Sequence, residues 1–172
     1  MSKSDSLEAT LRDLTEADFT TLRTLGETIW RQHYSSIISM AQIDYMLAGR
    51  YVPEKLRAYV GAQDRWVKLL IIDGNAVGYC SYAFTEDMTE MKLEQLYLLA
   101  AFKGRGLGGL MLDHVESQAR AFGKSSVMLT VNKHNIDSIA VYRQRGFTVR
   151  EEAVFDIGNG YVMDDYVMHK SL

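Results

Sequence analysis

Four of the chain's 13 glycines fall within six residues, at Gly104, Gly106, Gly108 and Gly109, and no other feature limits the fold as strongly. The residues before them, Lys92 to Ala100, alternate like a strand. Those after them, Gly106 to Phe122, carry Leu107, Leu110, Met111, His114, Val115 and Ala119 along one side of a helix. A strand must therefore give way to a helix within a few residues, over a backbone largely free of Cβ atoms. Such a turn gathers unpaired N–H groups and the positive end of a helix dipole at one point, an arrangement suited to phosphate. Lys103 and Arg105 add positive charge to the same turn. The alternative is a tight turn whose glycines only permit close packing.

The remaining elements follow from periodicity and turn chemistry. Glu8 to Leu14 reads as a first strand. Thr15 caps a helix with acids in its first turn and apolar residues at Phe19, Leu22, Leu25 and Ile29. Further helices are predicted over 39–49 and, opened by Pro53, over 53–62. Arg65 to Ile72 and Ala76 to Phe84 form a hairpin around Asp73-Gly74-Asn75. After the glycine turn and its helix come a strand at Ser126 to Val131 and a helix at Ile136 to Arg145, closed by Gly146. A final strand pair, Phe147 to Asp156 and Tyr161 to His169, flanks Gly158-Asn159-Gly160. The order β-α-α-α-β-β-β-α-β-α-β-β implies an α/β chain with a mixed sheet and helices on both faces. Residues 1–7 are expected to be a flexible tail and 8–172 a single domain.

Composition excludes several classes. Nineteen Lys and Arg against 22 Asp and Glu leave a net charge of −3, so no basic excess points to nucleic acid. The single cysteine, Cys80, forms neither an internal disulfide nor a zinc cluster and is expected to be a buried strand residue. His33, His114, His134 and His169 show no metal-ligand spacing, and no metal is expected. Met1 to Thr10 is polar, and no apolar run approaches the ~20 residues of a membrane span. The expectation is a soluble, cytoplasmic protein.

Three phosphate patterns compete for the glycine turn. The P-loop run of Gly, four residues and Gly-Lys-Ser/Thr is absent. Gly104-x-Gly106-x-x-Gly109 matches the dinucleotide pattern, but the next strand ends Met128-Leu129-Thr130-Val131-Asn132-Lys133, without the acid that would hold a ribose. Lys103-x-x-Gly106-x-Gly108 resembles the Arg/Gln-x-x-Gly-x-Gly/Ala signature of the Gcn5-related N-acetyltransferases (GNAT), with Lys where the family usually has Arg or Gln. The likeness extends upstream to Leu93-Glu94-Gln95-Leu96-Tyr97-Leu98. Downstream, Asn135 to Phe147 is similar to the family's Asn-x4-Ala-x-Tyr-x3-Gly-Phe segment. More loosely, in length and in its closing Asp165 to Leu172, the chain is similar to bacterial spermine/spermidine N-acetyltransferases.

The resemblance implies a mostly antiparallel, twisted sheet of about seven strands and acetyl transfer from acetyl-coenzyme A to an amine by direct attack in a ternary complex. It places the donor on Leu98, Ala100, Lys103, Gly104, Arg105, Gly106, Leu107, Gly108, Gly109 and Asn135, although Asn135 could simply cap its helix. A Lys-like amine, of pKa about 10.4, is mostly ammonium at pH 7 and needs a base. Glu94 is the candidate, and two-residue periodicity puts it on one face with Leu96 and Leu98; the alternative is a solvated strand carboxylate. Tyr142 is the implied acid for the leaving thiolate, or else a packing residue. In the family the first helices border the acceptor, so Trp30 and Tyr34 are candidate substrate contacts, with His33, Glu86 and Asp87 nearby in the same reading. An aromatic and acidic pocket of that kind suits a cationic amine, a polyamine among them, unless Trp30 and Tyr34 are helix core. A coenzyme-binding module without turnover and a protein amine as acceptor are the competing readings. The last strands offer an edge for a homodimer.

Overall fold

Alternating apolar residues build a seven-stranded sheet, and amphipathic helices cover both its faces. The computed structural model describes residues 8–172, so the tail expected at 1–7 lies outside the described residues. The elements run β1 (Ala9–Asp13), α1 (Phe19–Tyr34), α2 (Met40–Arg50), α3 (Pro53–Arg57), β2 (Arg65–Ile72), β3 (Asn75–Phe84), β4 (Glu90–Leu98), α4 (Leu107–Ala121), β5 (Ser126–Asn132), α5 (Ile136–Gln144), β6 (Thr148–Gly158) and β7 (Tyr161–Ser171). This is the order read from the sequence. The strands lie in the order β1-β2-β3-β4-β5-β7-β6.

Several boundaries differ from expectation, β6 and β7 each running two residues further, to Gly158 and Ser171. α3 stops at Arg57 rather than near 62, and the chain leaves it through turns that include Gly61 at φ +70°. β4 begins and ends two residues early. After Leu98 the backbone tightens into a 3₁₀ turn, Ala100–Phe102, so Ala100 lies outside the strand. The entry to α1 is as expected in kind: the Asp18 carboxylate accepts from the Thr15 N–H and hydroxyl, both at 2.9 Å, and takes the Arg12 guanidinium at 2.7 and 2.8 Å.

Two cores flank the sheet. On one face Met111, Leu112 and Val115 of α4 pack with Phe147 against Cys80, Tyr82, Met91, Leu93, Val127 and Leu129. On the other, Leu22, Leu25 and Ile29 of α1 and Leu56 of α3 pack against Val67, Leu69 and Tyr79. Cys80 is fully buried, and burial pushes its thiol up to about 12. Among the described residues no helix is long and apolar enough to cross a membrane.

The sheet opens along one line. β4 and β5 form its parallel pair, joined by the α4 crossover, but they are in register only at Glu90/Ser126, Met91/Val127 and Lys92/Met128. Beyond Lys92, β4 stays with β3 as far as Leu98, while β5 stays with β7 as far as Asn132. The two halves of the sheet diverge and leave a wedge between them.

β4 also carries a bulge. Ser81 pairs with Gln95 and Tyr82 with Leu93, so Glu94 has no partner of its own on β3. An extra residue shifts the alternation by one position. Met91, Leu93, Leu96 and Leu98 face the α4 core, whereas Lys92, Glu94 and Gln95 face the opposite side. Glu94 therefore does not share a face with Leu96 and Leu98, contrary to the simple two-residue count.

Candidate active site

The wedge supplies backbone donors. The Leu99 N–H bonds the Val77 carbonyl at 2.9 Å. Strand alternation then turns the Leu98 N–H away from β3, toward the space β5 has vacated. Close approach of β3 and β4 is enforced at Gly78, where an added Cβ would lie 2.7 Å from the Tyr97 carbonyl oxygen.

At the mouth of the wedge lies the glycine turn. Gly104 sits at φ +79° and Gly106 at φ +76°, a region that side chains with a Cβ enter only with strain, and nothing lies within 4 Å of either Cβ position. The first hydrogen bond of α4 runs from the Leu110 N–H to the Gly106 carbonyl at 3.0 Å. The N–H groups of Leu107, Gly108 and Gly109 have no helical partner. Lys103 and Arg105 are exposed and form no ion pair among the described residues, while Arg105 lies 5.3 Å from the Phe102 ring centre. The Leu107 side chain is buried in the α4 core. Gly109 faces inward, where its missing Cβ makes room for the Arg145 guanidinium, itself 2.8 Å from Asp113. Its role is thus partly packing.

α5 closes the other side. Asn135 occupies the N-cap position and is buried, yet its side chain makes no capping bond. It lies toward His33 at the end of α1, where burial, and next the Lys103 charge, hold the imidazole below its usual range. Tyr142, two turns into α5, packs edge-on against Phe147 with ring centres 5.8 Å apart. Burial and the neighbouring Tyr97 phenol push its hydroxyl above the usual value, so it stays protonated at neutral pH.

On the α1–α3 side of the sheet lies a cavity of about 460 Å³. Tyr45, Met46, Gly49 and Arg50 of α2 form one wall; Tyr59 forms another; Lys92, Glu94 and Gln95 of β4 form the floor, with Thr130 of β5 and Ile157 at the rim. The Tyr45 hydroxyl donates to the Ile157 carbonyl at 2.8 Å and ties α2 to the β6–β7 hairpin. The Tyr59 hydroxyl donates to Glu94 Oε1 at 2.9 Å. Tyr51 donates to Gln95 at 3.2 Å and also pairs with Tyr79.

Trp30 and Tyr34 are not cavity residues. They are 1% and 8% exposed and form a core cluster with Ile43 against Tyr97, the Tyr34 and Tyr97 hydroxyls 3.0 Å apart. Glu86 and Asp87 lie in the β3–β4 connection, where Asp87 accepts from Thr89 at 2.7 and 2.8 Å. The aromatic and acidic pocket expected from these residues does not form. Arg50, Tyr59, Lys92 and Gln95 line the cavity instead. The available signal was Tyr45, Met46, Gly49 and Arg50, whose spacing puts them on one helix face.

A divided sheet of this order, with a glycine turn opening a helix at the division and a cavity behind it, agrees with the fold that the resemblance implies. The chain matches the Acetyltransferase (GNAT) family over residues 27–147; it belongs to that family and is an acyltransferase. An uncharacterized N-acetyltransferase of Lactobacillus delbrueckii subsp. lactis is 28% identical over 125 residues, 69% of this chain and 72% of that one. Streptothricin acetyltransferase of Streptomyces lavendulae is 25% identical over 75 residues, 44% of this chain and 40% of that protein. In fold, the chain is similar to the PaiA N-acetyltransferase of Thermoplasma acidophilum in complex with coenzyme A (TM-score 0.82, 20% identity, covering 96% of this chain and 100% of that one). It is also similar to Arabidopsis thaliana Naa50 in complex with the bisubstrate analogue CoA-Ac-MVNAL (TM-score 0.68, 19% identity, 95% and 99%).

Proposed function

We propose that the protein transfers an acetyl group from acetyl-coenzyme A to a primary amine of a small molecule, by direct attack within a ternary complex. The observation that carries this reading is the wedge between β4 and β5, with free N–H groups at one end and a walled cavity holding Glu94 on the far side. The residues present fit the donor. The open positions at Gly104 and Gly106 and the N–H groups of Leu107 to Gly109 suit its phosphates, with Lys103 and Arg105 adding charge. The Leu98 N–H suits the thioester oxygen, and Asn135 and Ala100 border the same path.

The chemistry needs a deprotonated amine and a protonated leaving group. Glu94, directly or through water, takes a proton from the acceptor ammonium. The neutral nitrogen attacks the thioester carbonyl, the carbon–sulfur bond breaks, and Tyr142 donates its proton to the departing thiolate; the attacking nitrogen loses its second proton as the amide forms, and that proton restores the Tyr142 phenol directly or through water. The Leu98 N–H stabilises the oxyanion between these steps. Tyr59 holds Glu94 in place. The cavity's size and its closure by the Tyr45–Ile157 contact favour a small acceptor over a protein chain, in keeping with a relative named for streptothricin. The cell interior suits a protein that uses this donor.

The test is thiol release from acetyl-coenzyme A over a panel of small amines and peptides. A small amine that releases free thiol and gains the mass of one acetyl group supports the reading. Release with peptides alone would overturn the choice of acceptor, and release with none would leave a coenzyme-binding module.

A further inference from the structure

The cavity's charge is opposite to the one a polyamine needs. Three cations line it, Arg50, Lys55 and Lys92, against one carboxylate, Glu94. Among the described residues none of these three cations forms an ion pair, although nine other Lys and Arg residues do. Glu94 is already engaged by Tyr59 at 2.9 Å. The one further acid toward the floor is Asp165 of β7, beside Lys92 and pushed up to about 6 by burial. That leaves Arg50 and Lys55 without a counter-charge.

Arg50 is the most constrained of the three. It ends α2, half-buried, with its guanidinium carbon 5.0 Å from the centre of the Trp30 ring and the Tyr97, Tyr51, Tyr34 and Tyr79 phenols around it. It makes no hydrogen bond to the protein among the described residues. A guanidinium removed from bulk water and left without an anion is costly, and its planar fork is matched to a carboxylate. The aromatic wall fixes where that fork points, and it borders the cavity.

We propose that the acceptor is an amine that also carries a carboxylate, an amino-acid-like small molecule, with Arg50 as the specificity residue that clamps the carboxylate. The inference rests on the reading of this cavity as the acceptor site. In it Arg50 takes the carboxylate from the α2 wall while the amine is directed to Glu94 on the floor. Lys55 and Lys92 add to the same field. Spermidine, with several positive charges, would meet Arg50 and Lys55 without counter-charges and be repelled.

The experiment uses the full chain and a panel of α-amino acids, the amines that lack their carboxylates, and spermidine. Thiol release should favour the best amino acid over its decarboxylated partner by about tenfold or more in kcat/KM. Arg50→Met, which keeps bulk without charge, should abolish that preference and leave the KM for acetyl-coenzyme A unchanged; Arg50→Lys should restore part of it. A second arm measures equilibrium binding of the amino acids and their N-acetyl forms by calorimetry, which needs no turnover. Binding weakened about tenfold or more by Arg50→Met supports the clamp even if no amine is acetylated, an outcome that would count against the acetyl-transfer reading alone. The proposal is overturned if spermidine or the decarboxylated amines are preferred, if no carboxylate binds the wild type, or if Arg50→Met leaves the preference intact.

Discussion

Glu94→Gln separates a base from a bystander. Glutamine keeps the volume of the side chain and still accepts the Tyr59 hydroxyl, which now lies 2.9 Å from Oε1. What is lost is the capacity to take a proton, together with the charge assistance of one hydrogen bond. The second loss is worth about 1 kcal/mol of stability, so the variant should fold and bind acetyl-coenzyme A normally. The first should lower kcat by about 10²–10⁴-fold at neutral pH, or roughly 3–5 kcal/mol of barrier. The pH profile carries the sharper signal. A Lys-like acceptor is neutral in about one molecule in 2,500 at pH 7 and about one in 25 at pH 9. Without a base the variant must wait for that neutral fraction, so its rate should climb about tenfold per pH unit across this range and close the gap to wild type by about a hundredfold between pH 7 and 9. Initial rates of thiol release from pH 6.5 to 9.5, with saturating donor, measure this directly. A variant that matches wild-type kcat at pH 7, or that stays slow with a flat profile to high pH, would refute the role assigned to Glu94.

Three further outcomes follow from the geometry. Tyr142→Phe removes one hydroxyl from a packed ring and should lower kcat by about 10²-fold or more with the KM for acetyl-coenzyme A unchanged; unchanged turnover would rule out its acid role. Gly78→Ala places a Cβ 2.7 Å from the Tyr97 carbonyl oxygen, a backbone atom that cannot step aside, and should cost about 1–3 kcal/mol in denaturant unfolding; wild-type stability would show that β3 and β4 can separate there freely. Asp18→Asn removes the carboxylate that Arg12 and Thr15 hold well below its usual range, the Arg12 hydrogen bond being the largest cause. Because the folded-state pKa is depressed, this stabilisation is full above the unfolded value of about 3.9 and is lost as pH falls below it. The variant should therefore be less stable than wild type at pH 7 by about 0.5–2 kcal/mol, and the gap should begin to shrink as pH falls below about 3.9 and go on shrinking toward the depressed folded-state pKa; a gap that stays constant from pH 7 to pH 2 would refute the assignment.

The order of elements was legible because the chain changes its apolar period sharply, from helical over Phe19 to Ile29 to strand-like over Arg65 to Ile72. The glycine turn was legible because Gly104 and Gly106 adopt positive φ, a demand that composition records directly. The two sides of β4 were not. A two-residue count assumes an unbroken pleat, and the bulge breaks it at Glu94. The clue was present: apolar residues at Met91, Leu93, Leu96 and Leu98 leave two polar residues side by side in the middle. The placement of Trp30 and Tyr34 was not legible for a different reason. An aromatic residue on an amphipathic helix faces either core or ligand, and only the packing of α1 on Tyr97 decides between them. Arg50 was not legible because its meaning is relational. An arginine is informative when it lacks a partner, and pairing cannot be read along one chain.

The bulge and the wedge belong together. β5 stays in register with β7 over its full length, from Ser126 to Asn132, and β4 with β3 from Met91 to Leu98. A bulge strengthens the local twist of its strand, so beyond Glu94 β4 cannot follow β3 and also remain against β5. Pairing between β4 and β5 accordingly stops at Lys92 and Met128, just before the extra residue. The consequence is a row of backbone groups on β4, the Leu98 N–H among them, that a continuous sheet would have paired. Leaving such a donor dry costs about 1–3 kcal/mol, and a polar ligand in the wedge regains what the missing strand would have given. The same extra residue turns Glu94 and Gln95 together toward the cavity. One insertion in one strand thus exposes donors along the proposed thioester path and sets the proposed base on the acceptor side, so the two half-sites are coupled through the register of β4.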